Sequence, residues 1–279
     1  MLLRHTKHST LRMQSAVEEG GDWTHLHAVA WDGNIEAARM LLEVGHPVDP
    51  QIATGHTPLH MAAQLGNVEI ARLLLDEKRE RDASERAAVD ARTSSGITPL
   101  YLAIQKGQLG MAQLLLDSGA AINAQTETGY SALHMTAQNG MLAEAAMLLE
   151  RGCAVDLKAV AGHTPLHLAA TYGNAEMIEL LLQAGHASVD AEDNTGRRYS
   201  VYLLDWHKST YTDAEGACSP LHFAAQKGAH ACVEALLAYA SSVDTPSSRG
   251  LTPLDVAAYA APPPGDAGRA VSNLLLHST

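Results

Sequence analysis

Thr164-Pro165-Leu166-His167-Leu168-Ala169-Ala170 is the clearest copy of a word that returns through the chain. Related words start at Thr24, Thr57, Thr98, Ser131, Ser219 and Thr252, and the steps between successive starts are 33, 41, 33, 33, 55 and 33 residues. Four steps share one period, and the other two are that period plus an insertion. Fixed-period self-similarity identifies an array of stacked units, in which each unit buries its apolar side only against its neighbours.

Each word carries the grammar of a helix start. Thr or Ser is a good N-cap, because its oxygen accepts from an otherwise orphan backbone N–H. Pro follows at the first helical position, where a missing N–H costs nothing. Nine residues after the cap stands Gly33, Gly66, Gly107, Gly140, Gly173 or Gly228, suited to a left-handed cap that ends the helix. A second helix then ends in Leu-Leu, from Leu41-Leu42 to Leu236-Leu237. The unit closes on an apolar residue with Asp or Asn, as in Val48-Asp49, Ile122-Asn123, Val155-Asp156 and Val189-Asp190. Helices this short are unstable alone in water, so stacking must supply their burial.

These residues resemble the ankyrin repeat: Gly-x-Thr-Pro-Leu-His-x-Ala-Ala, a turn glycine, Leu-Leu and Val-Asp/Asn. The resemblance implies an all-α fold, an ankyrin-repeat α-solenoid of helix-turn-helix units with hairpin-like loop fingers. It covers residues 22–276 in seven repeats that start near 22, 55, 96, 129, 162, 217 and 250. His25 and Ala132 depart from the family's Pro, and Tyr101 and Asp255 from its His. Ala261 replaces the last turn glycine, and Pro262-Pro263-Pro264-Gly265 follows it.

Residues 1–21 lead into the array. Leu11, Met13 and Val17 are expected to cap the open end of the first repeat, although Arg4, Lys7 and Arg12 without an early acid faintly resemble a transit peptide. A charged insertion spans 76–87, with mixed charges suited to a solvated extension of a helix. A larger insertion spans 197–217 and holds Tyr199, Tyr202, Trp206 and Tyr211 in a connecting loop. Tyr, Trp and Arg dominate interface energetics, so this finger is a candidate for partner contact. Self-packing of the same aromatics onto adjoining repeats is the competing reading.

The net charge of −12 argues against a general nucleic-acid binder and against adhesion to anionic membranes, and favours protein partners with basic patches. No apolar run has the length of a membrane span. Three scattered cysteines, Cys153, Cys218 and Cys232, do not form a disulfide framework, which fits a reducing compartment, cytoplasmic with the nucleus as an alternative. The expected state is a monomer.

Fifteen histidines invite a metal reading. Five of them, His27, His60, His134, His167 and His222, share one slot and form a ladder rather than a cluster. The resemblance implies that they bond near the Thr and link neighbouring turns. Cys218, His222, His230 and Cys232 offer zinc-ligand types, but they start two different helices and are not expected to converge. No hydrolase, zincin or P-loop word occurs, no cofactor is implied, and the chain is not expected to be an enzyme.

The resemblance implies binding along the groove lined by the first helices and loop tips. Two slots carry the candidate contacts. The residue before the cap includes Trp23, His56, Tyr130 and His163. The pair after the Ala slots includes Trp31, Gln64, Gln105-Lys106, Gln138-Asn139, Tyr172 and Gln226-Lys227. The recurring Gln is a polar row that can hydrogen-bond an extended partner. The expected function is a non-catalytic adaptor, scaffold or inhibitory subunit; the alternative is the substrate-recognition part of a larger enzyme, ubiquitin-ligase or kinase assembly. Asn123 sits at the position that asparaginyl hydroxylases modify in this family.

Overall fold

The computed structural model describes residues 23–75, 88–194, 218–239, 241–247, 250–260 and 266–277. The 1–21 lead, the 76–87 and 197–217 insertions and residues Tyr199, Tyr202 and Trp206 lie outside them. Among the described residues the structure is helical throughout, in seven pairs of short helices. The pairs are α1 (His25–Asp32) with α2 (Ile35–Glu43), α3 (Pro58–Leu65) with α4 (Val68–Leu75), and α5 (Pro99–Gln105) with α6 (Leu109–Asp117). Then come α7 (Ala132–Asn139) with α8 (Leu142–Glu150), α9 (Pro165–Tyr172) with α10 (Ala175–Gln183), α11 (Pro220–Lys227) with α12 (His230–Ala238), and α13 (Pro253–Ala260) with α14 (Asp266–Leu276).

The chain divides into two compact units, Met1–Glu127 and Thr128–Thr279. In the first, α1, α3 and α5 stack as one layer and α2, α4 and α6 as a second. In the other, α7, α9, α11 and α13 form the first layer, and α8, α10, α12 and α14 the second. Small side chains let the layers close: Ala62, Ala63, Ala169, Ala170 and Ala224 are buried with Leu59, Leu166 and Leu221. The second helices add Ile70, Leu74, Leu115, Leu148, Leu181 and Leu236. Each buried Leu or Ile contributes about 1.5–3 kcal/mol, which neighbouring repeats supply and an isolated pair could not.

The turn between paired helices needs its glycine. Gly66 ends α3 at φ 74°, and its N–H closes on the Ala62 carbonyl. The loop glycines work under tighter constraint. Gly129 has φ 80°, and an added Cβ would stand 2.6 Å from the Val160 nitrogen. That nitrogen in turn donates to the Thr128 carbonyl at 3.1 Å, so the two loops touch backbone to backbone.

One irregularity falls after α10. From Leu-Leu to Val-Asp the fourth repeat needs seven residues (Leu148 to Val155) and the fifth needs eight (Leu181 to Val189). His186 absorbs the extra residue by adopting φ 53°, the one left-handed non-glycine among the described residues. His tolerates that region better than most side chains do. The 55-residue step is therefore 33 plus 22, with one residue placed at this turn and 21 in the insertion.

Candidate functional site

The repeated His is a hydrogen-bonding part of the frame. In α3, the Thr57 N–H donates to His60 Nδ1 at 3.1 Å, and the His60 N–H returns to the Thr57 hydroxyl at 3.4 Å. This reciprocal pair is a capping box, with imidazole in the place that Glu or Gln usually holds. The same N–H to Nδ1 bond recurs at His27, His134, His167 and His222, between 3.1 and 3.3 Å. Because Nδ1 accepts, the neutral ring carries its proton on Nε2. That nitrogen donates to the next repeat: His27 to the His56 carbonyl, His60 to Ile97, His134 to His163, His167 to Cys218 and His222 to Leu251. These five bonds measure 2.9–3.1 Å.

Burial pushes His60 and His134 down to about 4, against the bonds to carbonyls, which pull the other way. His27, His167 and His222 are lowered for the same reason. The two copies without His are the last of each unit. Tyr101 is a buried ring in α5. Asp255 keeps the capping half of the device, accepting from the Thr252 N–H and hydroxyl at 2.8 Å each. Those bonds hold its carboxyl below the usual range.

The residue before the cap leans on this imidazole. Ring centroids lie 6.2 Å apart for Trp23–His27, 5.5 Å for His56–His60, 5.4 Å for Tyr130–His134 and 6.0 Å for His163–His167. All four rings are half-buried. His163 also meets Phe223 edge-on at 5.4 Å. Its Nε2 is 3.4 Å from Oδ2 of Asp193, whose side chain is fully buried.

Asp193 closes the loop from which the large insertion departs. Its N–H donates to the Cys218 carbonyl at 3.2 Å, and its Oδ1 accepts the Cys218 N–H at 2.9 Å. Thr93 and Ser247 make the equivalent closure with a hydroxyl, accepting from Ile97 and Leu251. Neither the His163–Asp193 pair nor the ring contacts announced themselves in the sequence, since both join residues of different register slots. Turn carboxylates at the ends of repeats bond onward as well. Asp90 accepts from the Ala121 N–H at 2.9 Å and Asp156 from Ser188 at 3.0 Å.

The pair after the Ala slots lies outward. Trp31 is 39% exposed and Tyr172 45%, while Gln105, Lys106, Asn139, Gln226 and Lys227 are exposed and Gln64 and Gln138 half-buried. In the first unit Trp31 packs edge-on against Trp23 at 5.9 Å. Asn67 donates to the carbonyls of Ala30 at 2.7 Å and Trp31 at 3.3 Å, fixing that helix end. In the other unit Gln138 Nε2 donates to the Tyr172 hydroxyl at 3.1 Å, and Asn139 turns back to the Met135 carbonyl. Burial and the neighbouring Tyr172 hydroxyl raise the Tyr130 phenol above its ordinary range. Asn123 is exposed in the turn after α6.

Among the described residues no group of three His, Cys, Asp or Glu is placed to hold a metal ion. Of the zinc-like set, His222 has both ring nitrogens engaged in the frame, and His230 faces Glu234 at 3.5 Å. Cys218 and Cys232 are buried thiols, and Cys153 is half-buried. Among the described residues no helix is long and apolar enough to cross a membrane.

Comparison with known proteins agrees with this geometry. The family model described as "Ankyrin repeats (3 copies)" matches residues 3–87, 26–126 and 100–193, and that described as "Ankyrin repeat" matches 218–247. The chain belongs to the ankyrin-repeat family. Proteins of this family are typically non-catalytic, and their repeats are generally protein–protein interaction modules. The structure is similar to that of the human ASB11 ankyrin repeat domain, with a TM-score of 0.68 and 25% identity over 92% of this chain and 98% of that one. Matching solved chains number 588, so the fold alone selects no partner. No curated protein matches the sequence.

Proposed function

We propose that this chain is an adaptor, scaffold or inhibitory subunit that holds a partner protein against the ends of its first helices. The observation that carries this reading is the state of those ends. Trp31 and Tyr172 are large aromatic side chains left 39% and 45% exposed at the ends of helices whose Leu and Ala side chains are buried. Aromatic anchors on a rigid support are the residues that most often dominate interface energetics. Each is also held in place before a partner arrives, Trp31 by Trp23 and Tyr172 by Gln138, which lowers the ordering cost of binding.

Crosslinking with mass spectrometry on the full chain tests the reading. Crosslinks from bound protein are expected near the ends of α1, α7 and α9. Changing Trp31 and Tyr172 together to Ala should remove them while helical content stays unchanged. Crosslinks that persist in the double variant would remove these ends from the contact.

A further inference from the structure

The unit Thr128–Thr279 separates its charges by layer. Three of its second helices, α8, α10 and α12, carry Glu144, Glu150, Glu176, Glu179 and Glu234 with no Lys or Arg, and the terminal α14 adds one charge of each sign, Asp266 and Arg269. Three of its first helices, α7, α9 and α11, carry no Asp or Glu and one cation, Lys227; the fourth, α13, carries Asp255, whose carboxylate is taken up by the Thr252 N–H and hydroxyl. All five glutamates reach solvent, fully or in part. The net charge of −12 therefore misdescribes the first-helix face, which offers amides from Gln138, Asn139 and Gln226 and the hydroxyl of Tyr172.

From this partition we infer that the first-helix face of this unit takes an extended polypeptide segment of low net charge, with an apolar or aromatic side chain seated on Tyr172. The inference rests on the interaction-module reading and names the chemistry of the partner. A Lys or Arg laid beside Tyr172 would lose water and find no carboxylate on α7, α9 or α11, which is the costly way to bury an ion. A stretch of main chain brings its own N–H and C=O groups, which side-chain amides satisfy by donating and accepting at once. Asp193 does not alter the balance, because its carboxylate is fully buried and accepts the Cys218 N–H. A basic partner would be drawn instead to the glutamates of the second layer.

The test selects a random peptide library displayed on phage against the full chain, then measures individual winners by fluorescence anisotropy. Winners are expected to be poor in Lys, Arg, Asp and Glu. Their affinity should change by less than about twofold between roughly 50 and 500 mM salt, because no exposed ion pair is being screened. Tyr172→Ala should weaken them by about tenfold or more, the ordinary size of a lost anchor. The double charge reversal Glu176→Lys with Glu179→Lys should leave them within about twofold. Winners rich in Lys and Arg that fail at high salt and with the reversed glutamates would overturn the inference and leave the interaction-module reading standing. Low-charge winners indifferent to Tyr172→Ala would overturn the seat assigned to Tyr172.

Discussion

Lowering the pH should dismantle the histidine ladder before it touches most carboxylates. His60 and His134 sit at about 4 in the folded chain, against 6.5 for the free side chain. A base whose folded pKa is depressed is protonated first in the unfolded chain. Its contribution is complete above about 6.5 and is lost as the pH falls through about 4. At pH 5 the unfolded chain holds about 0.9 more proton at each of these two residues, a slope of about 1.2 kcal/mol per pH unit apiece. Over the whole window each gives up about 3 kcal/mol, and the two fall in different units. His27, His167 and His222 shift in the same direction and steepen the loss. Domains commonly hold only 5–15 kcal/mol, so both units should lose cooperative structure between about pH 5 and 4. Asp32 and Asp49, raised by burial, act with the opposite sign. Urea unfolding followed by circular dichroism at constant ionic strength, in steps from pH 7.5 to about 4.5, measures the slope. His134→Gln keeps a side chain that can serve a capping box and removes the titration. It should reduce the slope between pH 6 and 5 by about 1.2 kcal/mol per pH unit. Stability that is flat from pH 7 to 5, or a slope indifferent to His134→Gln and His60→Gln together, would refute the reasoning.

Two backbone experiments follow from the loops. Gly129→Ala and Gly119→Ala both place a side chain at positive φ, worth about 1–2 kcal/mol. Only the first drives Cβ into backbone, 2.6 Å from the Val160 nitrogen, while the second meets open space. Chemical denaturation should therefore rank Gly129→Ala as clearly the more costly, and equal costs would contradict the packing of these loops. Deleting residues 197–217 leaves the Asp193–Cys218 closure and the His167 bond to the same carbonyl in the chain. The melting midpoint should move by less than about 4 °C, and loss of a cooperative transition would show that the closure depends on the inserted residues.

The first helices were legible because every determinant of their ends is local. Cap, Pro, imidazole and glycine lie within ten residues, and each acts on backbone it touches. The onward bond from Nε2 was legible only through the family resemblance, since nothing in one repeat names its acceptor. His186 left a trace in the sequence, the eighth residue between Leu181 and Val189, that a count against the other repeats finds. The His163–Asp193 pair left none. It joins the slot before the cap of one repeat to a loop position that holds Thr93 or Ser247 in other repeats, and only stacking brings the two together. Charge separation between layers was hidden by the total. A net charge of −12 points to basic partners, but five glutamates of the second unit belong to α8, α10 and α12, whereas α7, α9 and α11 carry none.

The two slots proposed for partner contact are therefore unlike each other. Tyr130 covers the His134 imidazole at 5.4 Å and is half-buried, so its ring contributes to the frame whether or not a partner is bound. Tyr172 stands 45% exposed, with its hydroxyl taken by Gln138 at the surface. Truncating Tyr130 uncovers a capping imidazole and removes an aromatic pair worth about 0.5–1.5 kcal/mol beyond its buried area. Truncating Tyr172 removes a surface hydrogen bond and little packing, for about 0.5 kcal/mol or less. A partner's affinity and the chain's stability should thus separate. Tyr172→Ala should weaken binding at nearly constant urea midpoint, whereas Tyr130→Ala should lower the midpoint in the free protein. Equal losses of stability from the two would mean that Tyr172 belongs to the frame, and the exposed row would then lose its aromatic anchor in this unit.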